Sequence, residues 1–191
     1  MRTSRDCHWT TPSWAAVLVA AFIVLAVGIG ARSLLAGESP MSAIGRVVQH
    51  EGQVHVLRND KTIALAPGAL VYERDLVVTA DSGRLKIEFL DGSLLAIGGA
   101  TRIFVADYAL SGSDRRLGAM FSLLSGIVRA VVAGPGGHFD IGSRAAVASA
   151  RSTEWLMEAG PDGTAVFAAV GSVEVQAVSS NLRVLLRQGE G

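Results

Sequence analysis

The chain has 191 residues, half of them hydrophobic, with 17 Lys and Arg balanced by 17 Asp and Glu. That length holds one ordinary domain and an appendage. From Gly37 onward 14 Lys and Arg face 16 Asp and Glu, which supplies no clustered basic surface for nucleic acid. The one cysteine, Cys7, excludes an internal disulfide and a cysteine-rich zinc site.

The first predicted element is apolar. WAAVLVAAFIVLAVGIGA, Trp14 to Ala31, is 18 residues without a charge. As a helix it is about 27 Å long, close to the roughly 30 Å of a hydrocarbon core. Arg2 and Arg5 precede it, a flank that favours a cytoplasmic N-terminus and export of the remainder. A cleaved signal peptide is the alternative, releasing the domain to the periplasm. Its apolar core is usually about 7–15 residues with a small-x-small exit, and Leu34-Leu35-Ala36 fits that exit poorly. The expected organisation is a short cytoplasmic tail over 1–13, a transmembrane signal anchor over 14–35, a linker over 36–43 and a folded domain over 44–191. The location that follows is a bacterial inner membrane, with the domain in the periplasm.

Beyond the linker the apolar pattern changes to period two. In RLKIEFLDGSLLAIG, Leu85, Ile87 and Phe89 alternate with Arg84, Lys86 and Glu88 before Asp91-Gly92 turns the chain. Comparable runs recur as RVVQH, QVHVLR, DLVVTA, RIFVADYAL, GIVRAVVA and TAVFAAVGSVEVQAV. Turn residues separate them, among them Asn59-Asp60, Pro67-Gly68 and Pro161-Asp162-Gly163. RRLGAMFSLLSG is the one stretch readable as either a helical turn or a strand. GPGG, Gly134 to Gly137, reads as a hairpin turn, since it lacks the Lys-Ser/Thr of a phosphate loop. The expectation is an all-β domain, a sandwich, barrel or solenoid-like wrap.

Ordered motifs then resemble the FecR protein domain over about 145 residues. GALVYERDLVVTADSGRLKIEFLDGSLLAIG is similar to that family's stretch of Gly, Asp and Thr followed by a strand ending in Asp-Gly-Ser. FSLLSGIVRAVV is similar to its Leu-x-x-Gly-x-Val-Arg element. AAVASARSTEW is similar to Ala-Val-x-x-Val-Arg-Gly-Thr-Glu-Phe, followed by an Asp-Gly hairpin and Gly-Ser-Val-x-Val. The motif positions carried over are Asp91, Gly92, Gly126, Arg151, Thr153, Glu154, Asp162, Gly163 and Gly171, in a structural or partner-contact role. Ser152 stands where the family has Gly, and Trp155 where it has Phe. The resemblance implies a twisted, partly solenoid-like all-β wrap behind one N-terminal transmembrane helix. It also implies protein–protein signalling in the cell envelope, without enzymatic activity or a cofactor. FecR-type anti-sigma regulators carry several tens of residues before the membrane segment, whereas about 13 stand here, too few for a sigma-binding domain. A structural or glycan-binding scaffold is the alternative role.

Candidate chemistry is sparse. His50 and His55 in HEGQVH are five apart, not the i and i+4 of a metal-binding helix, and on a strand they would point to opposite faces. His138 and Asp140 share a strand side, but no Gly-x-Ser-x-Gly elbow accompanies them. No histidine adjoins Ser152 to activate it. Arg151-Ser152-Thr153-Glu154 reads as a polar staple where the chain turns a corner; on one continuous strand Val147, Ser149, Arg151, Thr153 and Trp155 would share a face. An inward Arg151 would need a carboxylate, with Asp140, Asp81 and Asp91 available. No catalytic residue, cofactor site or metal site is expected.

Overall fold

Alternation is the physical basis of the strands: in Arg84–Phe89 the residues Leu85, Ile87 and Phe89 are buried while Arg84, Lys86 and Glu88 turn outward. The structure, a computed structural model, describes residues 42–191 except Ser113, Pro135 and Asn181. The expected tail and membrane anchor lie outside the described residues. Among the described residues the regular structure is all strand, and no helix is long and apolar enough to cross a membrane.

The strands are β1 (Ala43–Glu51), β2 (Val54–Arg58), β3 (Lys61–Ala64), β4 (Leu70–Tyr72), β5 (Leu76–Thr79), β6 (Arg84–Phe89), β7 (Leu94–Ile97), β8 (Arg102–Leu110), β9 (Arg116–Val131), β10 (His138–Gly142), β11 (Ala146–Ala150), β12 (Glu154–Gly160), β13 (Gly163–Val170), β14 (Ser172–Ala177) and β15 (Arg183–Arg187). Sheet A runs β4-β1-β6-β7-β9-β12-β13. Sheet B runs β3-β2-β5-β8-β9-β10-β11-β14-β15. The strand β9 belongs to both: its first part pairs with β8 and β10, its last with β7 and β12. Pairing is mixed, because β9 and β10 run parallel.

Gly126 is where β9 changes sheet. Its φ is +94°, and a Cβ there would lie 2.2 Å from Thr101 Oγ1 and 2.5 Å from Thr101 Cα. Only glycine takes this bend without strain or collision. The core lies between the sheets. Phe89 of sheet A stacks on Tyr108 of sheet B with centroids 4.9 Å apart, and Phe121 stacks on Phe139 at 4.9 Å. Fully burying a side chain of this kind stabilises by about 1.5–3 kcal/mol.

One reading is resolved and one changes. RRLGAMFSLLSG, open between a helical turn and a strand, is strand from Arg116 onward, the first part of β9. Gly134 to Gly137 is no hairpin turn. The chain leaves β9 in sheet A, where β7 and β12 already occupy both edges, so it arches across to sheet B and returns beside the start of β9. At the expected corner the register of β11 does not run on into β12. Ala148 and Ala150 point inward, then Thr153, Trp155 and Met157 do. The parity flips because residues 151–153 carry the chain from sheet B to sheet A.

Candidate functional site

Two polar clusters hold most of the motif residues. The first is buried and forms where the β6–β7 turn meets the arch before β10. Gly92, at φ +82°, turns the chain, and Asp91 closes the turn by accepting from Ser93 N at 3.0 Å and Ser93 Oγ at 2.8 Å. Tyr108 of β8 donates its hydroxyl to Asp91 Oδ1 at 2.7 Å. Arg116 of β9 donates to Asp91 Oδ2, to Ser93 Oγ at 2.9 Å and to the Gly137 carbonyl at 3.1–3.2 Å. Ser93 Oγ accepts in addition from Ala133 N at 3.0 Å. The Arg116 side chain is 0% exposed and that of Asp91 5%. Such a pair holds only when its polar atoms find further partners, and here every guanidinium nitrogen and both carboxylate oxygens have one. Burial, reinforced by the hydrogen bond to Asp91, pushes the Tyr108 hydroxyl well above the ordinary tyrosine range.

Arg116 was not legible as a site residue. Strict alternation from Ala119, Phe121 and Leu123 would turn it outward. A bulge, in which Ala109 pairs with Gly118 but Leu110 with Arg116, turns it inward. Asp75, a carboxylate, is a second missed residue. It is buried, and Arg58 of β2 clasps it through two bonds of 2.6 and 2.7 Å, which raises the Arg58 pKa. Thr79 and Thr101 are buried too, each sharing its hydroxyl with backbone at the corner beside Gly126.

The second cluster is the corner from β11 to β12. Thr153 is buried and donates its hydroxyl to the Arg151 carbonyl at 2.6 Å, with the Ser172 carbonyl 3.3 Å away. It thereby ties this corner to the next, from β13 to β14, which turns at Gly171 with φ +81°. Ser152 keeps the left-handed conformation, φ +49°, and its hydroxyl donates to the Gly134 carbonyl at 2.6 Å. Trp155 is fully buried, and its indole Nε1 finds no acceptor among the described residues. A phenylalanine at this position would bring no such donor.

The remaining polar groups face water. Arg151 points outward and finds a histidine, not a carboxylate: its guanidinium lies 2.6 Å from His138 Nε2. Glu154 takes a different partner, accepting from Arg129 Nε at 3.0 Å and Nη2 at 2.5 Å. Since arginine only donates, His138 Nε2 accepts and Nδ1 carries the proton. Nδ1 then donates to Ser149 Oγ at 3.1 Å, and Ser149 donates to Asp140. The bonds run in one direction from Arg151 to Asp140. This histidine tautomer draws no proton from Ser149, so His138 and Asp140 are bridged by the serine without forming a nucleophile–base pair.

The other predicted positions stand apart. Asp162 and Gly163 close the exposed β12–β13 hairpin, in which Gly160 pairs with Gly163. Gly126 marks the bend in β9. Among the described residues no group of three or more His, Cys, Asp and Glu is placed to hold a metal ion.

No curated protein matches the chain. Two crystal structures of a candidate anti-sigma factor from Parabacteroides distasonis ATCC 8503, at 1.65 and 2.50 Å resolution, are similar at 15% identity with a TM-score of 0.48. The match covers 60% of this chain and 59% of that one. The FecR protein family matches residues 75–174, just over half of the chain, from buried Asp75 through both polar clusters to β14. The chain belongs to the FecR family.

Proposed function

We propose that the protein is a non-enzymatic module for protein–protein interaction in envelope signal sensing, anchored in the inner membrane by its N-terminal segment with the β domain in the periplasm. The observation that carries this reading is the FecR match over residues 75–174. The use of the motif residues inside that span supports it. Asp91, Thr153, Gly126 and Gly171 join strands and corners, so the motif builds a scaffold that presents its outer faces. The chain spans 59% of the length of the Parabacteroides structure it resembles.

The test is photo-crosslinking in intact cells from outward positions on both sheets of the full-length protein, followed by mass spectrometry. A receptor, transporter or sigma regulator recovered from either face supports the reading. Recovery of assembly proteins, or only of a second copy, favours a structural scaffold instead.

A further inference from the structure

The outer side of sheet A carries an open groove of about 270 Å³. Its floor is aliphatic: Ala96, Ile127 and Leu156, with Ile127 38% exposed. Phe167, 44% exposed, continues it, paired with Leu156 across β12 and β13. Gly98 lets Ile127 lie flat, because a Cβ there would stand 2.5 Å from Ile127 Cγ2. The rim is cationic. Arg84, Lys86 and Arg129 line the groove and no carboxylate does. Glu154 holds Arg129 from outside the groove. Arg84 reaches Glu51 only at 3.9 Å, with both side chains largely in water. Lys86 has no ion-pair partner among the described residues.

Resting on the protein-binding reading above, we propose that this groove receives an acidic amphipathic segment of a partner protein. Its aliphatic side chains would cover Ala96, Ile127 and Leu156, and its carboxylates would meet Lys86 and Arg84. Charge complementarity chooses the occupant. Arg84 and Lys86 are two residues apart on one strand, about 7 Å, and Lys86 and Arg129 are two strands apart, about 10 Å. Cations spread in that way suit carboxylates distributed along a segment. A lone phosphate group is better held by cations converging on one point. Apolar contact would supply affinity, and the rim charges would select the partner and speed its approach.

The experiment uses the full-length chain in zwitterionic nanodiscs, with empty discs as the reference. The probes are an amphipathic peptide of about fifteen residues built from Leu and Glu, and the same peptide with Lys for Glu. Saturable binding of the Glu peptide alone is expected. The double change Arg84→Glu with Lys86→Glu should weaken it about tenfold or more, and Ala96→Trp should block it. Arg183→Glu, on the outer side of sheet B, should leave it unchanged. Equal binding of both peptides, or indifference to the groove variants, overturns the proposal. Displacement by anionic but not zwitterionic vesicles also overturns it, in favour of a lipid. If the peptides fail while crosslinking in cells still recovers a signalling protein through sheet B, the groove falls and the protein-binding role stands.

Discussion

Asp91 and Arg151 both occupy motif positions, yet their surroundings differ in almost every physical respect. Around Asp91, the side chains of Ser93, Tyr108 and Arg116 are buried, and their bonds connect two sheets and an arch. Around Arg151, the partners His138, Ser149 and Asp140 lie on the outer side of sheet B with water as a competitor. A hydrogen bond out of water leaves its partner unsatisfied when it is cut, whereas an exposed one is replaced by solvent. The buried cluster should therefore govern stability, and the exposed one should barely register.

Arg116→Ala is the severest test of that difference. It leaves Asp91 buried without its cation, and loss of one member of such a pair costs about 3–5 kcal/mol. Urea unfolding should show a midpoint lowered to match. A cost near that of a surface change would mean that the pair is not the node joining the sheets.

Tyr108→Phe probes the same cluster more gently. Its hydroxyl bonds to a carboxylate, and such a bond contributes about 1.5–3 kcal/mol. The variant should also change the alkaline behaviour. The folded protein holds the Tyr108 proton more tightly than the ordinary value of 10.0, so above about pH 10 the unfolded chain loses that proton first. The stability linked to Tyr108 is present below that pH and declines as pH rises beyond it. Unfolding curves between pH 8 and pH 11 should decline more steeply for the native protein than for Tyr108→Phe; parallel curves would remove Tyr108 as the cause.

The contrast between the clusters also explains what could be read in advance. Strand alternation at Leu85, Ile87 and Phe89, and turn residues such as Asn59-Asp60, are local signals, so the all-β class was visible. Arg151–Glu154 was visible as a corner because four polar residues interrupt an apolar run. Arg116 was hidden, since its inward direction depends on a bulge opposite Leu110 that leaves no mark in composition. The GPGG arch was misread for a related reason: whether a turn makes a hairpin depends on which strand edges are free, here decided by β7 and β12 many residues away. Arg151 turns outward because it continues the alternation from inward Ala148 and Ala150, before the corner flips parity at Thr153.

Thr153→Val lies between the extremes, since Thr153 is the one buried side chain of the exposed corner. The valine preserves shape but removes the donor to the Arg151 carbonyl. A loss of about 1–2 kcal/mol is expected, and thermal unfolding would show it. No loss would mean that Gly171 and the backbone hold the two corners together unaided.

Arg151→Ala closes the series at the smallest effect. Its guanidinium is exposed and bonded to a neutral imidazole, so water can take over both sides of the bond. Changes of this kind fall within about 0.5 kcal/mol. The readout that separates a structural from a contact role is therefore not stability. If Arg151 serves a partner, the alanine variant should keep the native unfolding midpoint while losing crosslinks made from neighbouring outward positions such as Ser149. If the midpoint falls by as much as in Thr153→Val, Arg151 belongs with the buried cluster in kind, and burial alone does not separate the two.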